Sequence, residues 1–393
     1  MSAPVRILPF TIMASLALGA CDSRTGPDET APATASVDAS AVKFWEAGAT
    51  VAWNALAVDL ARTTAVDAGR LHLYLGLAQL RAAEAAQSSP VPHPPIGGAI
   101  GRASAAVLVS FFPASAVQIE AALDAQDAAE SWPGAKYEDF AAGEAIGRAA
   151  AARVLAYAAT DRVGLTDPGT PPLGDGFWIW TGGPIARGNL GARPVFLASA
   201  DEFRPQAPPA FGSPPFTAAL AEVRRIADSR TPEQLAIALF WNVNQSPRSQ
   251  AAFIEIAREL IVSHRRSDAE AARIMFLMGA ASFDAVIGCF EAKYHYWLIR
   301  PVQADPGIVT TFPTPPHPAY PSAHSCSSGA LAGVLAAAFP SEARRVAAVA
   351  EESSLSRLYA GIHYRFDMEA GLVLGRAVAA KALGADLDEV AVP

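Results

Sequence analysis

Two basic side chains, Lys293 and Arg300, lie seven residues apart in a stretch with helical periodicity. If the helix that begins at the capping box of residues 267–270 continues to Ile299, both side chains leave the same face, about 10 Å apart along the axis. Two cations at that spacing can converge on one anion. Taken alone, the pair fits a solvated helix face better.

A proline-rich loop ends in Ser322, Ala323 and His324. A helix is expected to follow over about residues 325–339, which would place Ser322 and the backbone N–H of Ala323 at its N-terminus. Free N–H groups and the helix dipole favour an anion there. His324 would face the same point and could transfer a proton. Taken alone, the segment fits a plain serine N-cap with a histidine nearby better.

The most informative segment contains Arg357, Gly361, His363 and Asp367. His363 and Asp367 are four residues apart, which makes them neighbours on one helix face. A carboxylate beside one imidazole nitrogen fixes the tautomer and makes the other nitrogen more nucleophilic. Gly361 offers the break that would bring Arg357 to the same site. The alternative is a surface ion pair of Asp367 with His363 or a nearby arginine.

Together the three segments supply three cations, a hydroxyl group, a backbone donor, a proton shuttle and a histidine supported by a carboxylate. This set suits a tetrahedral oxyanion, phosphate or vanadate, that passes through a pentavalent centre. The ordered combination is far more specific than its parts. It predicts that residues 290–370 form an active-site region around His363.

The three segments resemble the superfamily of type 2 phosphatidic acid phosphatases and vanadium-dependent haloperoxidases. Its pattern is Lys-x6-Arg-Pro, then Pro-Ser-Gly-His, then Ser-Arg-x5-His-x3-Asp, and this sequence departs from it only at Ala323, where glycine is usual. The alanine restricts the backbone conformations open to this position and could crowd the equatorial oxygens of a bound anion. It should not abolish the contact of the backbone N–H with those oxygens. Weaker similarity to the bacterial haloperoxidase-like branch occurs over residues 200–205, 230–234, 240–241 and 363–367. The resemblance implies two helical bundles with the site in the second.

The resemblance also implies a role for each matching residue. His363 would bond to vanadium or attack phosphorus, Asp367 would orient His363, and His324 would act as acid and base. The equatorial oxygens would be held by Lys293, Arg300, Ser322, the Ala323 N–H and Arg357.

Two further residues are candidates for the pocket rim. His317 lies in the proline-rich loop, a region that contributes to halide preference in haloperoxidases, and it is either a tuning residue or a polar rim residue. Asn244 stands where some haloperoxidases place an aspartate that meets the motif arginine. A neutral Asn244 would leave Arg357 less compensated, which puts efficient peroxidase activity in doubt.

The resemblance leaves two chemistries open. A haloperoxidase would use vanadate as cofactor and take hydrogen peroxide and halide as substrates. An acid phosphatase would need no cofactor and would hydrolyse a phosphomonoester through a phosphohistidine. Chain length and the upstream similarity favour the haloperoxidase. A third hypothesis is a lipid-anchored module that captures phosphate without turnover, although capture does not require the pair His363 and Asp367.

Composition and periodicity predict an all-α protein. Of the 393 residues 51% are hydrophobic, many of them alanine, and no convincing strand pattern occurs. Helices are expected at 66–87, about 99–129 and 137–161, and capping residues predict further helix starts after Thr231 and Ser267. An irregular stretch covers about 163–215. Residues 41–393 are therefore expected to form one α-helical domain of two packed four-helix-type bundles.

The net charge of −8 argues against a nucleic-acid partner and leaves small molecules as the expected ligands. The sequence does not indicate an oligomeric state.

The first twenty residues resemble a lipoprotein signal peptide. A basic Arg6 precedes a mostly apolar stretch, and Leu-Gly-Ala before Cys21 resembles a bacterial lipobox, which implies cleavage and lipid attachment at Cys21. Residues 21–40 are expected to be a flexible tether. An ordinary secretory leader and a short cytosolic hydrophobic N-terminus are the alternatives. No later run of about 18 apolar residues occurs, so no spanning helix is expected, and the domain should face the periplasm or cell exterior.

Overall fold

The computed structural model describes residues 48–90, 94–130, 137–242 and 247–387. Over these ranges the chain forms α-helices, two short 3-10 helices and no β-strand, apart from one isolated bridge between Phe177 and Leu298. The all-α prediction is confirmed. The expected signal peptide and tether, residues 1–40, lie outside the described residues.

The first bundle consists of five helices: α1 (Ala49–Thr63), α2 (Ala68–Gln87), α3 (Ile96–Phe111), α4 (Ala116–Glu130) and α5 (Tyr137–Ala158). Helices α2, α3 and α5 pack against one another, and α1 and α4 pack on α3. The single helix predicted at about 99–129 is wrong. Pro113 has no N–H to continue the ladder, and a 3-10 turn over Pro113–Ser115 separates α3 from α4.

Within residues 214–242 and 247–387 the chain forms eight further helices: α6 (Pro214–Asp228), α7 (Pro232–Phe240), α8 (Pro247–Ser263), α9 (Asp268–Tyr296), α10 (Pro301–Ala304), α11 (Ala323–Ala338), α12 (Ala343–Tyr359) and α13 (Arg365–Gly384). Helices α9, α11, α12 and α13 form the second bundle, and α9 also packs on α2 of the first. Thr231 and Ser267 form the capping boxes that were predicted to begin α7 and α9.

Helix α9 joins the two bundles. Its 29 residues are apolar enough to span a membrane by length and composition, but 83% of its most apolar window is buried inside the protein. Burial on nearly all sides is expected of a helix that packs on both bundles.

The long segment between α5 and α6 is irregular, as predicted, and it docks on α9. Asp284 of α9 is fully buried and accepts three backbone N–H groups, from Val195, Phe196 and Leu197, at 2.8, 2.7 and 3.1 Å. Further along, the backbone N–H of Trp178 donates to the carbonyl of Trp297 at 2.6 Å. The segment therefore covers the C-terminal end of α9, where the predicted site begins.

Candidate functional site

The two predicted cations near the end of α9 are not on one helix. The helix ends at Tyr296, not at Ile299, because Trp297 adopts a left-handed conformation with φ of 52°. Arg300 stands instead at the N-cap of the short helix α10. The shared helix face is therefore wrong as a prediction, yet Lys293 and Arg300 are both completely buried.

Lys293 and Arg300 bind carbonyl groups of the proline-rich loop instead of carboxylates. Lys293 Nζ donates to the carbonyls of Pro318 and Ala319, both at 2.9 Å. Arg300 Nε donates to the carbonyl of His317 at 2.8 Å. These bonds hold both cations in place, and within the described residues neither cation forms an ion pair.

The guanidinium of Arg300 also contacts two imidazoles. Its Nη1 donates to the carbonyl of Ile362 at 2.8 Å and lies 3.0 Å from His363 Nε2. Its Nη2 lies 2.9 Å from His317 Nδ1, and the His317 ring packs against Phe290 with ring centres 5.2 Å apart. His317 is buried and so lies inside the site, and its part in tuning peroxide or halide binding stays a prediction.

His363 and Asp367 contact each other in a different way from that expected. His363 lies before α13, Tyr364 is the N-cap, and Asp367 is the third residue of the helix. The Asp367 carboxylate bends back, so that Oδ2 lies 2.8 Å from His363 Nδ1 and accepts the N–H of Tyr364 at 3.0 Å. The pair therefore forms by helix capping and not on a shared helix face.

The hydrogen bonds around His363 determine its tautomer. The guanidinium of Arg300 can only donate, so His363 Nε2 must be the acceptor and carry the lone pair. Nδ1 then carries the hydrogen and donates it to the carboxylate of Asp367. The lone pair of Nε2 is the one that a bond to phosphorus or vanadium requires.

Arg357 reaches the site through the predicted break. Helix α12 ends at Tyr359, and Gly361 has a φ of 78°, a value that favours glycine. Arg357 Nε donates to Ser356 Oγ at 2.9 Å and Nη2 donates to the carbonyl of Ala238 at 3.3 Å. Like the other two cations, it is buried and binds neutral groups.

The start of α11 lies beside the start of α13. Ser322 is the N-cap of α11, as predicted, and its N–H donates to the carbonyl of Asp367 at 2.9 Å. Gly371 permits this approach, because a side-chain carbon there would come within 2.7 Å of the Ser322 carbonyl. Ala323 is the first residue of the helix, and its methyl group packs against a cluster of aromatic side chains that includes Trp178 and Phe290.

His324 is held by a backbone carbonyl. Its Nε2 lies 2.9 Å from the carbonyl oxygen of Trp241, the C-cap residue of α7. Burial, with Arg357 nearby, lowers the pKa of His324 to about 3. The imidazole is therefore neutral at ordinary pH. Asn244 lies outside the described residues.

The site concentrates positive charge in the protein interior. Burial is the largest cause in each case, and it lowers the pKa of Lys293 to about 8, of Arg300 to about 10 and of Arg357 to about 9. None of the three forms an ion pair with a carboxylate within the described ranges. Burial raises the pKa of Asp367 to about 7, against the influence of Lys293.

The electrostatic influence on His363 shows that these groups share one region. Burial lowers the pKa of His363 well below its usual value, and the next causes, in order, are Arg300, Lys293, His317 and Arg357. The structure thus brings together the predicted cations and histidines.

Sequence reasoning missed the contribution of α7. Ala238 and Trp241, at its C-terminal end, supply the carbonyls that hold Arg357 and His324. It also missed Phe312, whose ring centre lies 5.3 Å from the Arg357 guanidinium carbon. Backbone carbonyls have no residue signature, and the sequence similarity around Trp241 was the only available signal.

Comparisons with known proteins relate part of the sequence to one family and the fold to several solved structures. Residues 271–385 match the family model of the PAP2 superfamily. A solved bacterial vanadium-dependent iodoperoxidase has a TM-score of 0.69 and 22% identity, covering 87% of this chain and 96% of its own. The apo-type structure of a bacterial vanadium-dependent chloroperoxidase has a TM-score of 0.61 and 14% identity, and the match covers 79% of this chain and 92% of that chain. The holo-type structure has a TM-score of 0.59 and 14% identity, and the match covers 80% of this chain and 89% of that chain. No curated protein matches the sequence. Residues 271–385 are thus similar to the PAP2 superfamily, and the fold of the described residues is similar to that of the solved bacterial vanadium-dependent haloperoxidases.

Proposed function

We propose that this protein is a vanadium haloperoxidase-like enzyme, in which vanadate at His363 activates hydrogen peroxide for the oxidation of a halide. The observation that carries the proposal is the set of three buried cations beside a carboxylate-supported histidine. Burying a charge without a partner is costly, so such a set is suited to a guest that brings negative charge.

The residues present fit a small oxyanion. Lys293, Arg300 and Arg357 would donate to its oxygens, together with Ser322 and the backbone N–H of Ala323 at the positive end of α11. His363 Nε2 offers the lone pair for the bond, and Asp367 keeps that lone pair available by accepting from Nδ1. When bound, vanadate supplies the Lewis acidity that makes a peroxide oxygen electrophilic toward halide.

His324 is assigned the proton transfers. Since it is neutral and its Nε2 donates to Trp241, only Nδ1 can accept a proton and later return it. The complete burial of Lys293, Arg300 and Asp367 keeps bulk water from competing for the bound anion.

Acid phosphatase activity is the second candidate. The same Nε2 lone pair can attack phosphorus, and the three cations would stabilise the pentavalent centre equally well. The match to the PAP2 superfamily favours this chemistry. We rank the haloperoxidase first because the similarity to the iodoperoxidase fold extends over 87% of the chain, whereas the family model matches only residues 271–385.

A paired assay tests the proposal. Protein loaded with vanadate is assayed for oxidation of bromide and iodide by hydrogen peroxide, and vanadate-free protein is assayed with a phosphomonoester. His363→Ala should abolish turnover, whereas His295→Ala, a change at an exposed histidine in the last turn of α9, should not. Phosphatase activity alone would select the second candidate. Inactivity in both assays would favour a module that only binds phosphate.

We also propose that the chain is exported and anchored by lipid at Cys21, on the strength of the lipobox-like sequence. The test is expression of the full chain with and without Cys21→Ala, followed by membrane fractionation and mass spectrometry of the N-terminus. A lipid-modified cysteine at the new N-terminus is expected. A membrane-free product whose N-terminus is unmodified would contradict the proposal.

A further inference from the structure

The contact between His324 and α7 fixes one property of the histidine. The Trp241 carbonyl oxygen can only accept, and it lies 2.9 Å from His324 Nε2, so Nε2 carries the hydrogen. The imidazole has no second hydrogen bond within the described part of the chain. The tautomer of His324 therefore depends on where one backbone carbonyl lies.

Trp241 is held in place by a side chain from another helix. Its indole Nε1 donates to Glu352 of α12 at 3.0 Å, and its own N–H donates to Ile237 at 3.1 Å within the last turn of α7. Trp241 is 2% exposed, and its indole packs against Phe240 and Phe253. These contacts fix the direction of the Trp241 carbonyl.

The same end of α7 also serves Arg357. The last carbonyls of a helix have no partner within it and lie at the negative end of its dipole. In α7 these carbonyls, from Ala238 and Trp241, face Arg357 and His324. Glu352 and Arg357 both belong to α12, so two bonds join this helix to the C-terminal end of α7.

We infer that Trp241, held by Glu352, is a positioning residue that keeps His324 in the Nε2–H tautomer, with Nδ1 free to exchange a proton. The tautomer of His324 does not depend on the proposed function. Only its consequence for turnover rests on that function. The carbonyl also favours the protonated imidazole, which has to form briefly whenever Nδ1 takes up a proton. An imidazole with the hydrogen on Nδ1 could not accept that proton.

The first measurement needs no turnover. Nitrogen NMR of protein with 15N-labelled histidine, assigned with His324→Gln, should show Nε2 protonated and Nδ1 unprotonated for His324. Glu352→Ala and Trp241→Phe each remove the indole bond and should give His324 a mixture of tautomers. Glu352→Gln retains an acceptor oxygen and should preserve the wild-type spectrum. A wild-type His324 protonated at Nδ1 would overturn the inference, whatever the activity of the enzyme.

The second measurement separates positioning from a general loss of structure. Misplacing a catalytic group can lower the rate by up to about a hundredfold. Glu352→Ala and Trp241→Phe, which misplace His324 only in part, should lower kcat about tenfold. KM and the Kd for inorganic phosphate should stay within about twofold of the wild-type values. Glu352→Gln should restore the rate, and Glu351→Ala, at the exposed neighbour, should leave it unchanged. Equal losses in kcat and phosphate affinity, or an unchanged kcat in Glu352→Ala, would refute the positioning role. If the wild type is inactive in both assays the proposed function fails, and the NMR comparison alone decides the tautomer.

Discussion

Replacing Asp367 by asparagine should separate anion binding from chemistry. Asp367 is fully buried, and its Oδ2 holds both the Nδ1–H of His363 and the N–H of Tyr364. The amide oxygen of asparagine can still accept the N–H of Tyr364 at the start of α13, so the fold should survive. The carboxylate that supports the nucleophile is lost.

The structure sets the size of the expected effect. A hydrogen bond to a charged group is worth about 1.5 to 3 kcal/mol, so losing the bond between His363 and Asp367 should lower kcat/KM about 10-fold to 150-fold. The affinity for inorganic phosphate should not fall, because the change removes a negative charge that lies near Lys293 and Arg300. Activity and anion binding are thus expected to change in opposite directions.

Asp284→Asn is the matched control. Asp284 is also a fully buried carboxylate in the second bundle, but it binds three backbone N–H groups of the long irregular segment and lies outside the site. This variant should lose about 1 to 3 kcal/mol in the free energy of unfolding while keeping its kcat. Steady-state kinetics and phosphate calorimetry on both variants make the comparison. An Asp367→Asn variant that retains more than half of wild-type kcat/KM, or whose phosphate affinity falls as far as its activity, would refute the role of Asp367 in supporting His363.

Three further outcomes are expected from the site and its surroundings. The affinity of the wild type for phosphate should fall as the pH rises through about 8, where Lys293 loses its proton. Lys293→Gln should bind phosphate about 10-fold to 150-fold more weakly and should lack this pH dependence. The surface variant Lys381→Gln should keep it. Ala323→Gly removes a methyl group from the aromatic cluster and adds backbone freedom, so chemical denaturation should show a loss of about 1 to 2 kcal/mol with phosphate affinity unchanged. Trp178→Ala should cost about 3 to 5 kcal/mol in local packing, and hydrogen exchange should become faster first over residues 176–186. Faster exchange spread evenly over the chain would contradict this prediction.

Local features of the fold were predictable because they depend on neighbouring residues. The capping boxes at Thr231 and Ser267 and the N-cap Ser322 are short-range hydrogen bonds, and the sequence contains both partners of each. The end of α9 was not predictable in this way. Trp297 takes a left-handed conformation without a glycine, and a backbone bond from the distant Trp178 stabilises it.

The candidate site was likewise predictable in part. Residue types and their order identified the cations and the pair of His363 and Asp367, because the chemistry requires those side chains. The route by which Arg300 reaches His363 was wrong, since it depends on the turn after α9 and not on helix spacing. The carbonyls of Ala238 and Trp241 could not be identified from residue types, because every residue has a carbonyl and only packing selects these two.

The most direct test of the central claim is a crystal structure of the protein grown with vanadate. Density for a single vanadate bonded to His363 Nε2, with Lys293, Arg300 and Arg357 at its oxygens, is the expected result. Vanadate bound away from these side chains, or no density at a concentration that saturates binding in solution, would contradict the claim that the buried cations form an oxyanion site.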